Sequence, residues 1–569
     1  MRYYALATDF DGTIAHDGVV EHTTIQALER WRASGRHLVL VTGRILEDLM
    51  ATFPRADLFE IVVAENGALL YFPDTRAEML LCAPPSKKLS EAFTSRGVPF
   101  AAGRVIVATW DTYKEAVLEC IQETGLEMQI IFNKGALMIL PAGITKSSGL
   151  EAALSRMELS AHDVLGVGDA ENDHAFLGMC ECSAAVANAI PSIKECSDFV
   201  TEGDHGAGVT ELIEQVLENE LKNVSNGLAR RNILVGHRRE DGEELRIPVY
   251  GSTVLVAGES GGGKSALTTG VLERLVDSGY QFLAIDPEGD YEAFEGALVL
   301  GDPHHAPDLK EMMSVLGKPD QNLIINLLGI SLEERPNFFE TLLARVMELR
   351  MRTGRPHWLI LDEAHHVLPS GWQRPAVFPP DFKGLMMITL NPDRLAPAVL
   401  KLADMVIAVG EHADQTIKTF AERAGITDPE IDPIDLEKGD ALMWSKASPG
   451  EPVLFRVAPH RSERRRHRRK YAEAELTPDR SFFFRGPEGK LNLRAQNLTT
   501  FLQIMDGVDD ETWLYHLGRG EYSKWFRDNI KNDELAEAAQ GVEKSAGTPA
   551  AESRGRIREI IEERYTAPA

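Results

Sequence analysis

The sequence predicts an α/β protein with two parallel-sheet domains in series, followed by a small, mainly helical module. Three observations predict this class. From residue 3 to about residue 216, short apolar runs alternate with amphipathic helical patterns, which is the βαβ rhythm of a doubly wound parallel sheet. The same alternation returns from residue 253 to about residue 457. A stretch rich in Trp, Tyr and Phe then runs from about residue 477 to residue 535.

Breaks in this rhythm predict the domain boundaries. A small α+β insertion interrupts the first sheet and ends in a strand pair around Asn133-Lys134-Gly135. A charged, Asn-rich linker without an apolar period precedes the second domain, which opens with a hairpin around Asp241-Gly242. The predicted segments are a first core (1–80 and 142–218), the insertion (81–141), the linker (219–232), a second α/β domain (233–475), a helical module (476–540) and a flexible tail with a short helix (541–569).

Length and composition agree with several globular cores. The chain has 569 residues, and domains hold roughly 100–200 residues each, so we expect about three of them. A hydrophobic fraction of 44% with 26% charged residues is typical of globular proteins. The formal net charge of −27 opposes attraction of the whole surface to nucleic acid or anionic lipid. A local basic channel stays open as an alternative.

The cysteines and the N-terminal residues indicate a cellular compartment. An odd number of cysteines, five, without paired C-x-x-C spacing predicts reduced thiols instead of a disulfide or zinc framework. The opening residues MRYYALATDFDG contain no apolar signal region, and no run of about 18 apolar residues occurs. We therefore expect a cytoplasmic protein that does not span a membrane.

Carboxylates, a hydroxyl and an ammonium stand at four predicted strand ends or helix starts of the first core. They lie in DFDGT, HLVLVTGR, PAGITKSSGL and VLGVGDAENDH, and the residues are Asp9, Asp11, Thr42, Lys146, Asp169 and Asp173. Parallel sheets bind ligands at the carboxyl ends of their strands. Acidic pairs concentrate negative charge unless a cation neutralises them, so the set suits a phosphoryl group and a hard cation.

With these four motifs in order, the first core resembles the haloacid dehalogenase (HAD) superfamily of phosphatases. The insertion and the residues Glu65-Asn66-Gly67-Ala68 are similar to the C2-capped, Cof-like branch (subfamily IIB), and the short cap is similar to that of phosphoglycolate and sucrose-phosphate phosphatases. The resemblance covers about 215 residues. It implies a Rossmann-like parallel sheet with a small α+β C2 cap.

The resemblance also implies a role for each motif residue. Asp9 is the implied nucleophile, which takes the phosphoryl group as an aspartyl phosphate, and Asp11 the acid and base. Thr42 and Lys146 would hold the phosphoryl oxygens. The implied Mg²⁺ ligands are Asp9, Asp169 and the main-chain carbonyl of Asp11, with Asp173 in support. Turn formation and helix capping are the alternative interpretation, which stays open for Arg44 and Asn172 taken singly.

Substrate specificity of such a phosphatase is expected in the cap. The candidate residues are Arg104, Trp110, Tyr113 and Lys134. Their directions do not follow from the sequence. The phosphorylated substrate therefore stays open.

A nucleotide site is predicted in the second α/β domain. The apolar run TVLVA leads into GESGGGKS and then a helical pattern, which satisfies G-x-x-x-x-G-K-[ST] in its strand–loop–helix context. Glycines let backbone N–H groups surround the phosphates of ATP, Lys264 meets the terminal phosphates, and Ser265 meets Mg²⁺. The loop residues are Gly258, Gly261, Gly262, Gly263, Lys264 and Ser265.

A second acidic strand end predicts hydrolysis in addition to binding. In HWLILDEAHH, Asp362 is placed to hold Mg²⁺ through water and Glu363 to polarise the attacking water. The runs DPEGDY (286–291) and LDEAHH resemble the HerA and FtsK group of ring-forming, RecA-like ATPases, over about 230 residues. That group commonly has Thr-Gln at a polar sensor position where this chain reads TLN, so Asn391 is the candidate γ-phosphate sensor.

The resemblance to ring-forming ATPases implies a homo-oligomer, with a hexameric ring as the expected form and the phosphatase part projecting from it on the linker. A basic run (461–470) would bind nucleic acid, supply an arginine finger to a neighbouring subunit, or serve as a solvated linker. The aromatic residues of the C-terminal module are expected mainly in its core, with single-strand binding as the alternative.

The sequence as a whole predicts a two-enzyme fusion. Its first part would be a Mg²⁺-dependent phosphatase for a small phosphorylated metabolite, and its second part a P-loop ATPase. The rival hypothesis is a nucleic-acid translocase or defence-type effector whose phosphatase part acts on a nucleotide or nucleic-acid phosphate. Binding of nucleic acid stays open, and no membrane partner is expected.

Overall fold

The computed structural model divides the chain into two compact units, Met1–Pro459 and His460–Ala569. It describes residues 1–569 except 134, 223–230, 260, 372–377, 380–381, 427–430, 432, 462–475, 477–479, 488, 531–532, 546–548 and 566–569. No helix in this described part of the chain is long and apolar enough to cross a membrane.

The first unit begins with an eight-stranded sheet and a smaller four-stranded one. Their strands are β1 (Ala5–Thr8), β2 (His37–Val41), β3 (Ile61–Ala64), β4 (Leu69–Phe72), β5 (Ala77–Leu80), β6 (Ala101–Ala102), β7 (Val107–Trp110), β8 (Met128–Asn133), β9 (Ala136–Pro141), β10 (Val164–Gly168), β11 (Cys182–Ala185) and β12 (Phe199–Val200). The helices are α1 (His22–Ala33), α2 (Leu46–Thr52), α3 (Lys87–Ser95), α4 (Lys114–Thr124), α5 (Lys146–Arg156), α6 (His174–Met179), α7 (Pro191–Cys196) and α8 (His205–Asn219).

The large sheet has the order β12-β11-β10-β1-β2-β3-β4-β5, and its strands from β12 to β3 are parallel. The four residues of β1 are all buried, because helices cover both faces of a parallel sheet. Trp31 of α1 is fully buried, and its indole Nε1 donates to the carbonyl of His37, 2.7 Å away. The prediction of a doubly wound sheet is confirmed.

The four-stranded sheet, ordered β6-β7-β9-β8, forms the inserted α+β subdomain. Side chains of α3 and α4, including Leu89, Phe93 and Val117, pack against Leu137 and Ile139 of β9 in its core. The predicted strand pair is present, since Asn133 pairs with Ala136. Lys134 itself lies outside the described residues.

A second sheet of eleven strands follows in the same unit. Its strands are β13 (Ile233–Arg238), β14 (Glu244–Ile247), β15 (Thr253–Gly258), β16 (Phe282–Asp286), β17 (Leu298–Leu300), β18 (Leu323–Asn326), β19 (Trp358–Leu361), β20 (Leu385–Thr389), β21 (Met405–Val409), β22 (Asp440–Ser445) and β23 (Ser448–Val457). Its helices are α9 (Lys264–Asp277), α10 (Leu309–Leu316), α11 (Arg335–Thr353), α12 (Pro397–Leu400) and α13 (Ala413–Ala424).

The order of this sheet is β14-β13-β23-β22-β21-β15-β20-β19-β16-β18-β17, and the seven strands from β21 to β17 are parallel. The predicted hairpin forms β13 and β14, which pair antiparallel across Asp241-Gly242. Because β15, β20, β19 and β16 are neighbours, their carboxyl ends meet at one edge.

The expectation that the first α/β domain projects from the second on a linker is wrong. The two domains belong to one compact unit and share direct hydrogen bonds. The hydroxyl of Tyr250 donates to the carbonyl of His162 at 2.8 Å, for example. The composition of the linker carries no information on whether the domains at its two ends contact each other. Residues 223–230 of the linker lie outside the described part of the chain.

In its described residues, the second unit combines a β-hairpin with five helices. They are β24 (Phe482–Phe484), β25 (Leu493–Ala495), α14 (Leu498–Gly507), α15 (Asp510–Gly518), α16 (Glu521–Asp528), α17 (Asp533–Glu543) and α18 (Ala550–Tyr565). Its aromatic side chains are buried together, as the core interpretation predicts: Phe482, Phe484, Phe501, Trp513, Tyr522, Trp525 and Phe526.

The short helix predicted within residues 541–569 is present as α18, and it packs into the core of its unit. This helix places Ile557 and Ile561, one turn apart, in the core of the second unit, where both are fully buried. The indole Nε1 of Trp513 donates to Ser553 Oγ at 2.9 Å and fixes the helix further. The high charge of this segment hid its narrow apolar stripe.

Candidate active sites

A buried lysine joins two carboxylates at the carboxyl edge of the first sheet. Lys146, the first residue of α5, donates from Nζ to Asp9 Oδ1 at 2.5 Å and to Asp173 Oδ1 at 2.6 Å. Asp9 directly follows β1, and both carboxylates and the ammonium are almost completely buried. The structure therefore brings together motifs that lie 137 residues apart in sequence.

Asp173 is held in place by backbone donors. Its Oδ2 accepts from the amides of Asp169 and Ala170 at 2.8 and 2.9 Å, while its Oδ1 faces Lys146. Asp169, just beyond β10, accepts from Thr13 Oγ1 at 3.0 Å. Hydrogen bonds thus orient both Asp173 and Asp169.

These three carboxylates can hold a cation. One oxygen each of Asp9, Asp169 and Asp173 lies within 4.8 Å of the others. Burial raises the pKa of Asp9, and the ammonium of Lys146 opposes that shift. Burial lowers the pKa of Lys146, but the charges of Asp173 and Asp9 together raise it by more than burial lowers it. The net shift of this pKa is upward, so the ammonium is retained. Three acidic groups against one ammonium leave an excess of negative charge, and an all-oxygen donor set fits Mg²⁺.

Arg44, whose role the sequence left open, holds Asp11. Its Nε and Nη2 donate to Asp11 Oδ2 and Oδ1, both at 2.7 Å, in a bidentate pair. Its backbone amide also donates to Thr42 Oγ1 at 3.1 Å. The hydrogen bond to Asp11 raises the pKa of Arg44. Arg44 therefore ties the candidate acid–base residue to the strand end that carries Thr42.

At the second sheet, the loop after β15 closes on itself around Lys264. The ammonium of Lys264 donates to the carbonyls of Gly258 and Glu259 at 2.8 and 2.9 Å, and burial lowers its pKa. Gly258 has φ = +147°, and a Cβ there would lie 2.0 Å from the carbonyl oxygen of Val409. Gly263 enters α9 with φ = +106°. Only glycine fits these two positions.

Three acidic residues lie at the carboxyl ends of two neighbouring strands of this sheet, β19 and β16. Asp362, after β19, is buried, and the burial raises its pKa to about 7. Glu363 has φ = +38°, a left-handed conformation that is uncommon outside glycine, and its Oε2 lies 3.3 Å from His365 Nδ1. Burial raises the pKa of Glu363, and Lys264 lowers it. Asp286, at the end of β16, accepts from the amides of Asp290 and Tyr291.

The predicted sensor residue has a local role in the structure. Asn391 is exposed, and its Oδ1 accepts from the amide of Asp393 at 3.0 Å. Its neighbour Thr389 is fully buried at the end of β20, with Oγ1 3.5 Å from His365 Nδ1. A sensor role for Asn391 stays a prediction. Ser265 is exposed at the start of α9, and of the predicted basic run only Arg461 is described.

Comparisons with known proteins agree with the families predicted for the two α/β domains. Residues 6–97 and 103–213 match the family of haloacid dehalogenase-like hydrolases. The chain is 32% identical over 225 residues to a phosphoglycolate phosphatase of Methanothermobacter thermautotrophicus, a match that covers 37% of this chain and 98% of that protein. The chain belongs to the haloacid dehalogenase-like hydrolases. We therefore name residues 1–222 the phosphatase domain.

The chain is also similar to further proteins. A phosphoglycolate phosphatase of Saccharolobus solfataricus is 32% identical over 224 residues, which is 37% of this chain and 91% of that protein. A haloacid dehalogenase-like hydrolase structure from Bacteroides thetaiotaomicron aligns with 18% identity and a TM-score of 0.34, covering 38% of this chain and 99% of that one. Residues 244–353 match the central domain of the helicase HerA. We name residues 231–459 the HerA-like domain.

The phosphatase domain contains a cap anchor that sequence reasoning missed. Glu65 is fully buried, and its carboxylate accepts from three backbone amides that lead into β7: Arg104 (2.8 Å), Val105 (2.7 Å) and Ile106 (3.0 Å). A Cβ on Gly103 would lie 2.4 Å from Glu65 Oε1, so a side chain there would disturb this contact. The next residue, Asn66, donates its amide to the carbonyl of Thr42. The anchor thus joins the cap to the loop beside Thr42.

We expect Glu65→Gln to raise KM for the phosphatase substrate about 3- to 10-fold, with a smaller change in kcat. The glutamine amide would face a backbone N–H where Glu65 accepts, and hydrogen bonds to charged groups contribute about 1.5–3 kcal/mol. Steady-state kinetics would measure the changes in KM and in kcat separately. Glu78→Gln is the matched control, because Glu78 binds the Arg104 guanidinium on the surface. Unchanged kinetics in Glu65→Gln, with the control also unchanged, would show that the anchor does not position the cap.

The predicted specificity residues of the cap lie in different surroundings. The guanidinium of Arg104 is bound by Glu47 and Glu78, Trp110 is 63% exposed, and Tyr113 packs partly against the cap core. By contrast, Asn172, beside the carboxylates, donates from Nδ2 to Asn66 Oδ1 at 3.2 Å. A role of the cap residues in substrate selection stays a prediction.

Proposed function

We propose that the phosphatase domain is a Mg²⁺-dependent phosphatase that hydrolyses a small phosphate monoester through an aspartyl phosphate on Asp9. The observation that carries this proposal is the buried group of Asp9, Lys146, Asp169 and Asp173 at the carboxyl edge of the sheet. A nucleophile, a fixed ammonium and a cation site within one buried cluster are the parts that phosphoryl transfer requires.

Each residue has a distinct part in the proposed reaction. Asp9 attacks phosphorus while the ester oxygen leaves with a proton from Asp11, and water then cleaves the acyl phosphate after losing a proton to Asp11. Lys146 offsets the charge of the phosphoryl oxygens, and Thr42 donates a hydrogen bond to them. Mg²⁺, when bound by Asp9, Asp169 and the carbonyl of Asp11, supplies further neutralisation of that charge. Asp173 orients Lys146.

The relatives and the cap support a proposal for the substrate class. Two relatives at 32% identity carry the name phosphoglycolate phosphatase and are matched over nearly their whole length. The cap that Glu65 anchors is small, about 60 residues with one four-stranded sheet. Phosphoglycolate is therefore our first candidate, ahead of sugar phosphates.

A substrate and metal screen tests this proposal. We expect Mg²⁺-dependent release of phosphate from phosphoglycolate, reduced to background by EDTA and restored by excess Mg²⁺. Sugar phosphates, nucleotides and DNA with 3′- or 5′-phosphates serve as competitors in the same assay. Activity confined to polynucleotides would contradict the metabolite proposal and favour the translocase or effector alternative. Full activity in EDTA would contradict the metal proposal alone.

For the HerA-like domain we propose ATP binding and hydrolysis. Lys264 in the phosphate loop, Asp362 as the Mg²⁺-side carboxylate and Glu363 as the residue that polarises water support this proposal. We further propose assembly into a ring of identical subunits, since a neighbouring subunit would supply a transition-state arginine to each site. Mass photometry with ATP and Mg²⁺ measures assembly, and a fully active monomer would contradict the ring.

A further inference from the structure

The phosphatase and HerA-like domains meet at the amino-terminal edges of their sheets. On the phosphatase side, the contacting residues precede β1, β10 and β11; on the HerA-like side, they lie near or before the starts of β15, β16 and β19. They are Tyr4, His162, Asp163 and Glu181, facing Tyr250, Tyr280, Arg355 and His357. Both candidate active sites lie at the opposite, carboxyl-terminal edges.

Direct hydrogen bonds cross this interface. The hydroxyl of Tyr4 donates to the carbonyl of Arg350 at 2.7 Å, and the hydroxyl of Tyr280 donates to Glu181 Oε2 at 2.9 Å. Arg355 Nη2 donates to the carbonyl of Glu158 at 2.6 Å. Because several elements of each domain contribute, the contact is a surface and not a single attachment point.

Charged side chains at the interface are as buried as those of a protein core. Asp163, Glu181 and Arg355 are at most 1% exposed. His357 Nε2 lies 3.5 Å from Asp163 Oδ2 in a completely buried pair, and burial lowers the pKa of His357. Interfaces between independently moving domains are usually wetter, since buried charges are costly without their partners.

Ring packing and close backbone approach give the interface a fixed geometry. The rings of His162 and Tyr280 are stacked, with centroids 3.9 Å apart. A Cβ on Gly354 would lie 2.4 Å from Asp163 Oδ1. Neither contact tolerates sliding of one domain over the other.

Single strands connect this interface to both candidate sites. β1 lies between Tyr4 and Asp9, and β19 lies between His357 and Asp362. Each path is about five residues, or roughly 17 Å. A ligand bound at the carboxyl end of β1 or β19 therefore stabilises a strand whose amino end is fixed at the interface.

We propose that the phosphatase and HerA-like domains unfold as one cooperative unit, so that a ligand bound at either site stabilises both domains. A ligand that binds only the folded state lowers the population of every opening that destroys its site. If the two domains unfold together, a ligand bound to one domain also stabilises the other domain against unfolding. The two sites face opposite directions, so the coupling requires no passage of substrate between them.

Hydrogen exchange of the full chain, followed by mass spectrometry in increasing urea, tests this proposal without any ligand. We expect the slowest amides of β1 and β19 to join one opening transition, with protection factors equal within about threefold at each urea concentration in that transition. Separate transitions for the two strands would overturn the proposal.

A second arm uses ligands as probes. We expect AMP-PNP with Mg²⁺ to slow exchange in β1 by the same factor as in β19. Protection of β19 and the phosphate loop without β1 would overturn the linkage. If AMP-PNP protects no part of the HerA-like domain, the proposed ATP binding fails, and the ligand-free transition still decides the linkage.

Two conservative substitutions test the interface itself. Tyr4→Phe with Tyr280→Phe removes two hydroxyl donors that cross it and keeps both rings. We expect this double variant to raise exchange in β1 and β19 by more than about threefold, while Tyr71→Phe, at a buried tyrosine of β4, leaves both strands within about twofold of the unsubstituted chain. A double variant that leaves exchange in both strands unchanged, or that changes them no more than Tyr71→Phe does, would overturn the assignment of these contacts.

Discussion

Asp9→Asn should reduce phosphate release from small esters by roughly 10³-fold or more, because the amide cannot form the acyl phosphate and nucleophile removal has costs of this order or larger in other enzymes. The ATPase rate should stay near that of the unsubstituted chain, since Asp9 lies at the far edge of a different sheet. Phosphate release from phosphoglycolate and from ATP, measured in parallel, gives both numbers.

The controls for Asp9→Asn concern folding. Lys146 also pairs with Asp173, so the ammonium keeps one carboxylate partner in the variant. Asp48→Asn, at an exposed carboxylate that binds Arg44 away from the cluster, is the matched control and should retain most activity. Phosphatase activity retained in Asp9→Asn would contradict the assignment of the nucleophile.

Glu363→Gln should lower ATP turnover by about 10²- to 10⁴-fold, the usual range for loss of a general base. ATP binding should persist, because the phosphate loop and Lys264 are unchanged. Phosphatase activity should also persist. A coupled ATPase assay together with fluorescent-nucleotide binding would measure the two effects.

The Glu363→Gln result has two informative controls. Lys264→Ala should abolish nucleotide binding as well as turnover, since it removes the buried ammonium of the loop. Glu259→Gln changes an exposed carboxylate in the same loop and should leave turnover nearly unchanged. An ATPase rate that Glu363→Gln does not alter would place the water-activating group elsewhere.

The carboxylate cluster was predictable from sequence because strand ends fix it. Asp9 and Asp169 each follow a short apolar run, and the carboxyl ends of neighbouring parallel strands must meet at one edge. The same reasoning located Lys264 and Asp362. Motif chemistry and sheet topology thus sufficed to predict both candidate sites.

Contacts between distant loops were not predictable in this way. Glu65 binds amides about 40 residues away, and the resemblance of its motif to the C2-capped branch did not identify those partners. His162 and Tyr280 meet only because two sheets pack edge to edge, which no periodicity records. The core packing of α18 was not predicted, because a stripe of two isoleucines is a weak signal among many charges. Each of these features depends on tertiary packing.

The central claim is a covalent phosphoryl group on Asp9, and the most direct measurement is peptide mapping of acid-quenched protein after brief exposure to p-nitrophenyl phosphate and Mg²⁺. Asp11→Asn is the form to use, because p-nitrophenolate leaves without a proton from Asp11, whereas loss of the residue that activates water should let the intermediate accumulate. We predict a phosphoryl adduct on the peptide that contains Asp9, absent when Asp9 is also replaced by Asn. Product release without an adduct on that peptide, or an adduct on another residue, would contradict the account.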